Sequence, residues 1–378
     1  MPERSINEKN GIIVALFIFQ YALLAFVMAY VSSSLVIAAS SLLLIATLIV
    51  INGFAVKIDF YVILTSVSII ILLTIKVIFG SEVNVIISFI EYALPCALIL
   101  SYPFSEKKTI ETCMNIATVN FAITALIPFI QRFDYMRFGY AMLPSMIFLY
   151  MKVTSCQGSY ELWYRNKIID CLLIITGNIE ILAFGNRGAL FAFGLFFIMY
   201  EFVYNKRISY KKVLIIIVIA FVITNLPSIL NVAAKQLNRF GISSRSVSQF
   251  GVQLEKGFDE ASSGRSGLYK RAIEEIKQNP VFGSKIIMDQ EKQDYFHNLF
   301  LQLLHDTGLV GLIPLVCLLV KCIEDIRKNR NGRYSALVVL ALFSIAIGRL
   351  MFSSTLWLRP EFWLLTFYAV KKKTVQQS

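Results

Sequence analysis

The sequence predicts an all-α polytopic membrane protein with about twelve transmembrane helices and one large extracytoplasmic loop. Three observations predict it. Apolar runs long enough to cross a hydrocarbon core of about 30 Å recur along the 378 residues. Basic residues gather on alternate sides of those runs. A single mostly polar stretch, 227–296, interrupts them. Composition agrees: 57% of residues are hydrophobic and only 16% are charged, against about 25% in a soluble domain, and mean hydropathy is +0.68. Disorder, a disulfide scaffold and a soluble nucleic-acid binder are excluded despite the formal charge of +12, and no nucleic-acid partner is expected. Six cysteines form no CxxC pair and the chain has two histidines, so no metal site or other cofactor is expected.

In chain order, the first ten residues precede an apolar run without a small-x-small cleavage site. It is too long for a signal-peptide core and reads as a retained anchor. Runs at 11–30, 33–51, 60–79, 84–101, 109–130 and 139–151 give six spans, the last short and interrupted by Pro144. Runs at 168–184, 188–204 and 213–226 complete an N-terminal bundle of about nine spans, residues 1–226. The loop 227–296 follows, and 297–378 supplies three more spans (297–320, 335–352, 354–370) and a basic tail. Lipid offers no partner to unpaired backbone, so each run reads as a helix. With the N-terminus cytoplasmic, inner segments carry twenty Lys or Arg and the short outer loops five. That asymmetry makes both termini cytoplasmic and the large loop extracytoplasmic. The loop carries ten basic and eight acidic residues and contains one credible helix. Ser266 reads as its N-cap, Leu268, Ala272, Ile273 and Ile276 as its apolar stripe, and Pro280 with Gly283 as its stop.

All five cations of the short outer loops are arginines: Arg132, Arg137, Arg187, Arg349 and Arg359. A planar guanidinium grips phosphate oxygens bidentately, so an anionic ligand at that face fits them. Snorkelling to lipid headgroups is the competing reading for Arg132, Arg137 and Arg359. Arg187 differs, standing between glycines in GNRGALFAF where one span ends and the next begins. Arg265, in SSGRSG at the start of the loop helix, adds a guanidinium to unpaired backbone N–H groups; an ordinary linker and cap is the alternative. Arg271 and Lys270, one turn on, could assist. His297 opens a span at the outer interface, and imidazole accepts a proton near neutrality; a satisfied polar group at a helix start is equally compatible with the spacing. His305 and Asp306 lie two turns deeper, where ionisable groups need partners or a wet cavity; a structural role suits His305. Glu91, Glu180 and Lys76 lie within spans, and no Ser/His/Asp order or nucleotide loop stands out.

Three of these stretches together resemble the O-antigen ligase and polymerase superfamily of bacterial envelopes, the ligase-like WaaL and polymerase-like Wzy proteins. Residues 297–312, HNLFLQLLHDTGLVGL, are similar to its His-Asn, apolar helix, acidic-x-Gly pattern, with Asp306 where Glu is more usual. Residues 263–283, SGRSGLYKRAIEEIKQNPVFG, are similar to its Gly-Arg, amphipathic helix, Asn-Pro and Gly sequence. Residues 186–189, NRGA, are similar to its Ser-Arg-Gly stretch. The resemblance implies a GT-C-like, inverting, metal-independent glycosyltransferase that uses a polyprenyl-diphosphate-linked (undecaprenyl-type) oligosaccharide as donor. It implies His297, Arg187 and Arg265 as catalytic residues, with Arg271, Arg349, Asn298 and Asp306 binding diphosphate or acceptor. The bacterial inner or cytoplasmic membrane is the implied location, the active site facing the periplasm or exterior, with a chain-length regulator and a flippase as candidate companions. Polysaccharide polymerase, for O-antigen, capsule or exopolysaccharide, is favoured over a ligase acting on a lipid-A core, because polymerases serve more envelope types. A lipid-linked-sugar transporter is the reading from another class, disfavoured because the polar chemistry clusters at one face.

Overall fold

The computed structural model describes residues 3–130, 134–154, 160, 162–163, 166–205, 210–239, 241, 244, 247–248, 265–286, 296–328 and 334–371, and these are helical with no strand among them. The first half holds α1 (Glu3–Ile18), α2 (Gln20–Leu23), α3 (Ser33–Ile51), α4 (Phe60–Ile78) and α5 (Asn84–Ser101). It continues with α6 (Glu106–Ile130), α7 (Tyr135–Thr154), α8 (Lys167–Phe184) and α9 (Arg187–Tyr204). The second half holds α10 (Tyr210–Thr224), α11 (Leu226–Arg239), α12 (Arg265–Gln278), α13 (Leu299–Lys328), α14 (Tyr334–Leu350) and α15 (Pro360–Val370). Local chemistry sets several starts. Asp59 accepts hydrogen bonds from the N–H groups of Tyr61 and Val62, Asn166 from those of Ile168 and Ile169, and Pro360 opens α15, where a missing N–H costs nothing.

Among the described residues, five helices are long and apolar enough to cross a membrane: α3, α4, α5, 106–129 of α6, and α9; α14 is a shorter apolar helix. Their burial is the reverse of a soluble protein's. Leu42 and Leu43 on α3 are 67% and 68% exposed, and Ile63, Leu64 and Ile71 on α4 also face outward. So much exposed aliphatic surface is stable only against lipid. Three helices are instead enclosed on every side: Phe138–Leu149 of α7, Ser335–Leu350 of α14 and Pro360–Ala369 of α15 are buried without interruption. α14 packs against α6, α7, α9, α13 and α15 and so forms the axis of the bundle.

Four expected spans take a different form, and of the run 354–370 only Pro360–Val370 is α-helical. The run 11–30 is interrupted after Ile18, where the Gln20 carboxamide turns to bond Ile37 O and the hydroxyls of Ser40 and Ser41 on α3. The run 139–151 belongs to a 20-residue helix, and it can carry Pro144 and Ser145 because its neighbours are protein rather than lipid. The run 297–320 is kinked at Gly308. In the loop, α12 begins at Arg265, so Ser266 stands inside the helix rather than capping it. Ala272 is buried as expected, while Ile273 is 46% exposed. Far from these features, at the other end of α7 and α8, Lys152 and Asp170 form an ion pair of 3.1 Å between almost fully buried side chains.

Candidate functional site

The kink in α13 organises the site. Gly308 has φ 64° and ψ −153°, a backbone region open essentially to glycine. The chain after α12 seats itself in the break this creates. Leu309 N–H donates to Pro280 O at 3.0 Å, Val310 N–H to Val281 O at 3.2 Å, and Ser284 N–H to His305 O at 2.6 Å. Groups freed from the helix ladder are thus satisfied by the Asn-Pro-Val-Phe-Gly turn. Glycine is required on both sides: a Cβ on Gly308 would stand 2.3 Å from Val281 O, and one on Gly283 (φ 72°) 2.5 Å from His305 O. The same turn is tied to the end of α4, where Lys76 donates to Phe282 O at 3.1 Å and to Ser284 O. Ile286 then pairs with Ser81 Oγ and with the N–H of Glu82.

Two residues before the kink, Asp306 is 1% exposed and has polar neighbours on several sides. Its carboxylate accepts both from Gln302 Nε2 (2.9 and 3.0 Å) and from Trp357 Nε1 (2.9 Å), and faces His305 Nδ1 at 3.0 Å. His305 Nε2 faces Glu275 of α12 at 2.8 Å. With both carboxylates ionised, both ring nitrogens must carry protons to satisfy them, an arrangement that suits a cationic tie between α12 and α13 rather than a free base. Arg271 extends the chain to Glu275 at 3.4 Å, with half of its side chain exposed. Arg265 is the first residue of α12, and its side chain lies outside the described atoms.

His297 precedes α13 with φ 50°, a left-handed conformation that costs a non-glycine residue about 1–3 kcal/mol and survives only where the surroundings enforce it. It is half-buried. The Asn298 carboxamide oxygen accepts from the N–H groups of Phe300 and Leu301, both at 3.1 Å, so this residue caps the helix.

Arg187 is the first residue of α9, set there by Asn186, which accepts from Ala189 N–H at 2.8 Å and donates to Met136 O at 3.2 Å. It too is half-buried. Beside it, the Gly188 backbone lies against Tyr140 and Phe352. Tyr140 in turn lies under Arg349, whose guanidinium is 4.8 Å from that ring and 4.2 Å from the ring of Tyr21. Arg349 is 4% exposed and donates to Glu361 at 2.9 Å. A small cleft lies beside Glu361, lined also by Gln20, Tyr21, Ile37 and Leu364. Arg137 donates to Met28 O and Arg359 to Ser354 Oγ; Arg132 lies outside the described residues.

These contacts connect Arg271, Glu275, His305, Asp306 and Trp357 in one series, and Gly188, next to Arg187 in the chain, with Tyr140 and Arg349 in another. The segment from Arg349 to Pro360 carries both Arg349 and Trp357 and so belongs to each. Gln302, Trp357, Glu275 and Lys76 are partners that the sequence reading did not assign. The i,i+4 spacing of Gln302 and Asp306 was the available signal for one of them. Among the described residues no group of three or more His, Cys, Asp or Glu is arranged to hold a metal ion.

Residues 172–316 match the family model described as O-antigen ligase. The stretch runs from within α8 past the kink of α13, and contains Arg187, Arg265, Arg271, His297, Asn298 and Asp306 but not Arg349 or Trp357. The match supports the resemblance to the O-antigen ligase and polymerase superfamily, and with it glycosyl transfer in the broad sense by a membrane protein. No curated protein and no solved structure matches the chain.

Proposed function

We propose that this chain is a polysaccharide polymerase, moving a glycan from a polyprenyl-diphosphate carrier onto a hydroxyl of another lipid-linked repeat unit at the outer face of the cytoplasmic membrane. The observation that carries the reading is that two family-like stretches, separated in sequence by residues 284–296, form one assembly: the turn after α12 is seated in the α13 kink, about three turns below His297. In the proposed step the donor's anomeric C–O bond to diphosphate breaks as a bond to the acceptor oxygen forms, inverting that carbon. His297 takes the hydroxyl proton. Arg187 and Arg265, with Arg271 nearby, take up the charge that develops on the departing diphosphate, and dipoles held ready for such charge are the largest lever available. Arg349 is already engaged by Glu361 and two tyrosine rings, so we assign it to holding the ends of α14, α15 and α7 near Arg187. The exposed faces of α3 and α4 suit a polyprenyl tail as well as they suit bulk lipid.

Transfer to a lipid-A core or another acceptor is the second reading, favoured by the match to a family described as O-antigen ligase. Proteoliposomes holding lipid-linked repeat units decide between them. Longer glycan from those units alone supports the polymerase. Transfer only after a second acceptor is added supports the ligase. Translocation with no new glycosidic bond overturns both.

A further inference from the structure

His297 is held in its left-handed conformation from both sides, and the two restraints differ in kind. Downstream, Asn298 caps α13 through its own side chain, a local device. Upstream, the Phe296 N–H donates to Gln302 Oε1 at 2.8 Å, and Gln302 is 4% exposed. A carboxamide whose oxygen meets an N–H must turn its NH₂ the other way, and that NH₂ meets the Asp306 carboxylate. Asp306 is fixed in turn by the Trp357 indole N–H, from the segment joining α14 to α15. Trp357 is 3% exposed and packs against Trp363. The backbone before His297 is thereby tied to the C-terminal hairpin through Gln302, Asp306 and Trp357. The hairpin lies outside the stretch that matches the family model.

We propose that Gln302, oriented by Asp306 and Trp357, is a positioning residue that fixes the His297 imidazole for proton transfer. The inference deepens the reading of His297 as proton acceptor and rests on it. Gln302 touches neither substrate; it sets where the imidazole stands.

The test is a double-mutant cycle on the full chain in proteoliposomes, with radiolabelled polyprenyl-diphosphate repeat units as probe and new glycosidic bonds as readout. Gln302→Leu keeps the side-chain bulk and removes both contacts. It should lower turnover about 100-fold, the scale expected for displacing a reacting group by an ångström. Amide exchange at Phe296 should quicken in the same variant. In a His297→Ala background the change should cost less than about 2-fold, since a residue acting only through the imidazole has nothing left to position. Trp357→Phe keeps an aromatic ring and loses the N–H. It should give a smaller loss that also vanishes in that background, and it carries the test if Gln302→Leu does not fold. Equal losses in both backgrounds, or full turnover in Gln302→Leu, would overturn the positioning role while leaving His297 as the base. Full turnover in His297→Ala would instead overturn the base itself, and this inference with it.

Discussion

Replacing Gly308 by alanine tests whether the seat between the loop and α13 controls activity. The new Cβ would stand 2.3 Å from Val281 O, well inside contact distance, on a residue at φ 64° and ψ −153°. Relief requires the turn to leave, giving up the bonds from Leu309 to Pro280 and from Val310 to Val281. Backbone strain of about 1–3 kcal/mol and about 2–3 kcal/mol for a methyl forced against a backbone oxygen together disfavour the docked turn by roughly 3–6 kcal/mol, while those bonds favour docking equally in both variants and leave the difference unchanged. A shift of that size changes the docked-to-undocked ratio by about 10²–10³-fold or more. Gly308 lies outside the enclosed helices α7, α14 and α15, so the variant should still insert and fold. The measurement is hydrogen exchange over residues 279–286 beside glycan elongation in membranes; both should change, with elongation down at least about 100-fold if the docked form is the active one. Gly194→Ala serves as control, because nothing lies within 4 Å of the added methyl. Unchanged exchange and full elongation in Gly308→Ala would refute the argument.

Other outcomes follow from the same geometry. His297→Ala should cost about 10²–10⁴-fold in elongation, the usual worth of a general base, while membrane insertion stays normal. Arg187→Lys keeps the charge but loses the planar two-point grip on phosphate. Elongation should fall about 100-fold, and wild-type turnover would show that charge alone suffices. Elongation in purified proteoliposomes should survive EDTA; loss restored by added divalent ion would count against the proposed mechanism. Lys152→Met alone should destabilise the bundle by about 3–5 kcal/mol by leaving Asp170 buried and unpaired, and a second change, Asp170→Leu, should recover much of it; thermal unfolding in detergent reads both.

The lipid-facing helices were the legible part of the fold. Runs such as 33–51 and 84–101 have the same limits in sequence and in space, because lipid demands an unbroken apolar surface and so writes itself into composition. The enclosed helix α7 was hard to read for the opposite reason. Its surroundings are side chains, which accept Ser145 and Pro144, so only 139–151 looked like a span. The Gly308 kink was also out of reach, since the groups that satisfy it come from Pro280 and Val281 and leave no trace in local hydropathy. For the site, the sequence singles out His297, Asp306 and Arg271 as candidates but, beyond i,i+4 spacing, carries no sign of the groups that contact Asp306 and Arg271. Nothing near Asp306 in sequence points to Trp357, 51 residues away, and nothing near Arg349 announces Glu361 as its partner.

The Lys152–Asp170 contact has a mechanical consequence. It clamps α7 to α8 at the end of the bundle remote from Arg187, in surroundings too dry to screen either charge. An alternating-access cycle that opened that end would have to part the two ions at every turnover, without water to receive them. A machine that works from one side only can leave such a weld closed for its whole life.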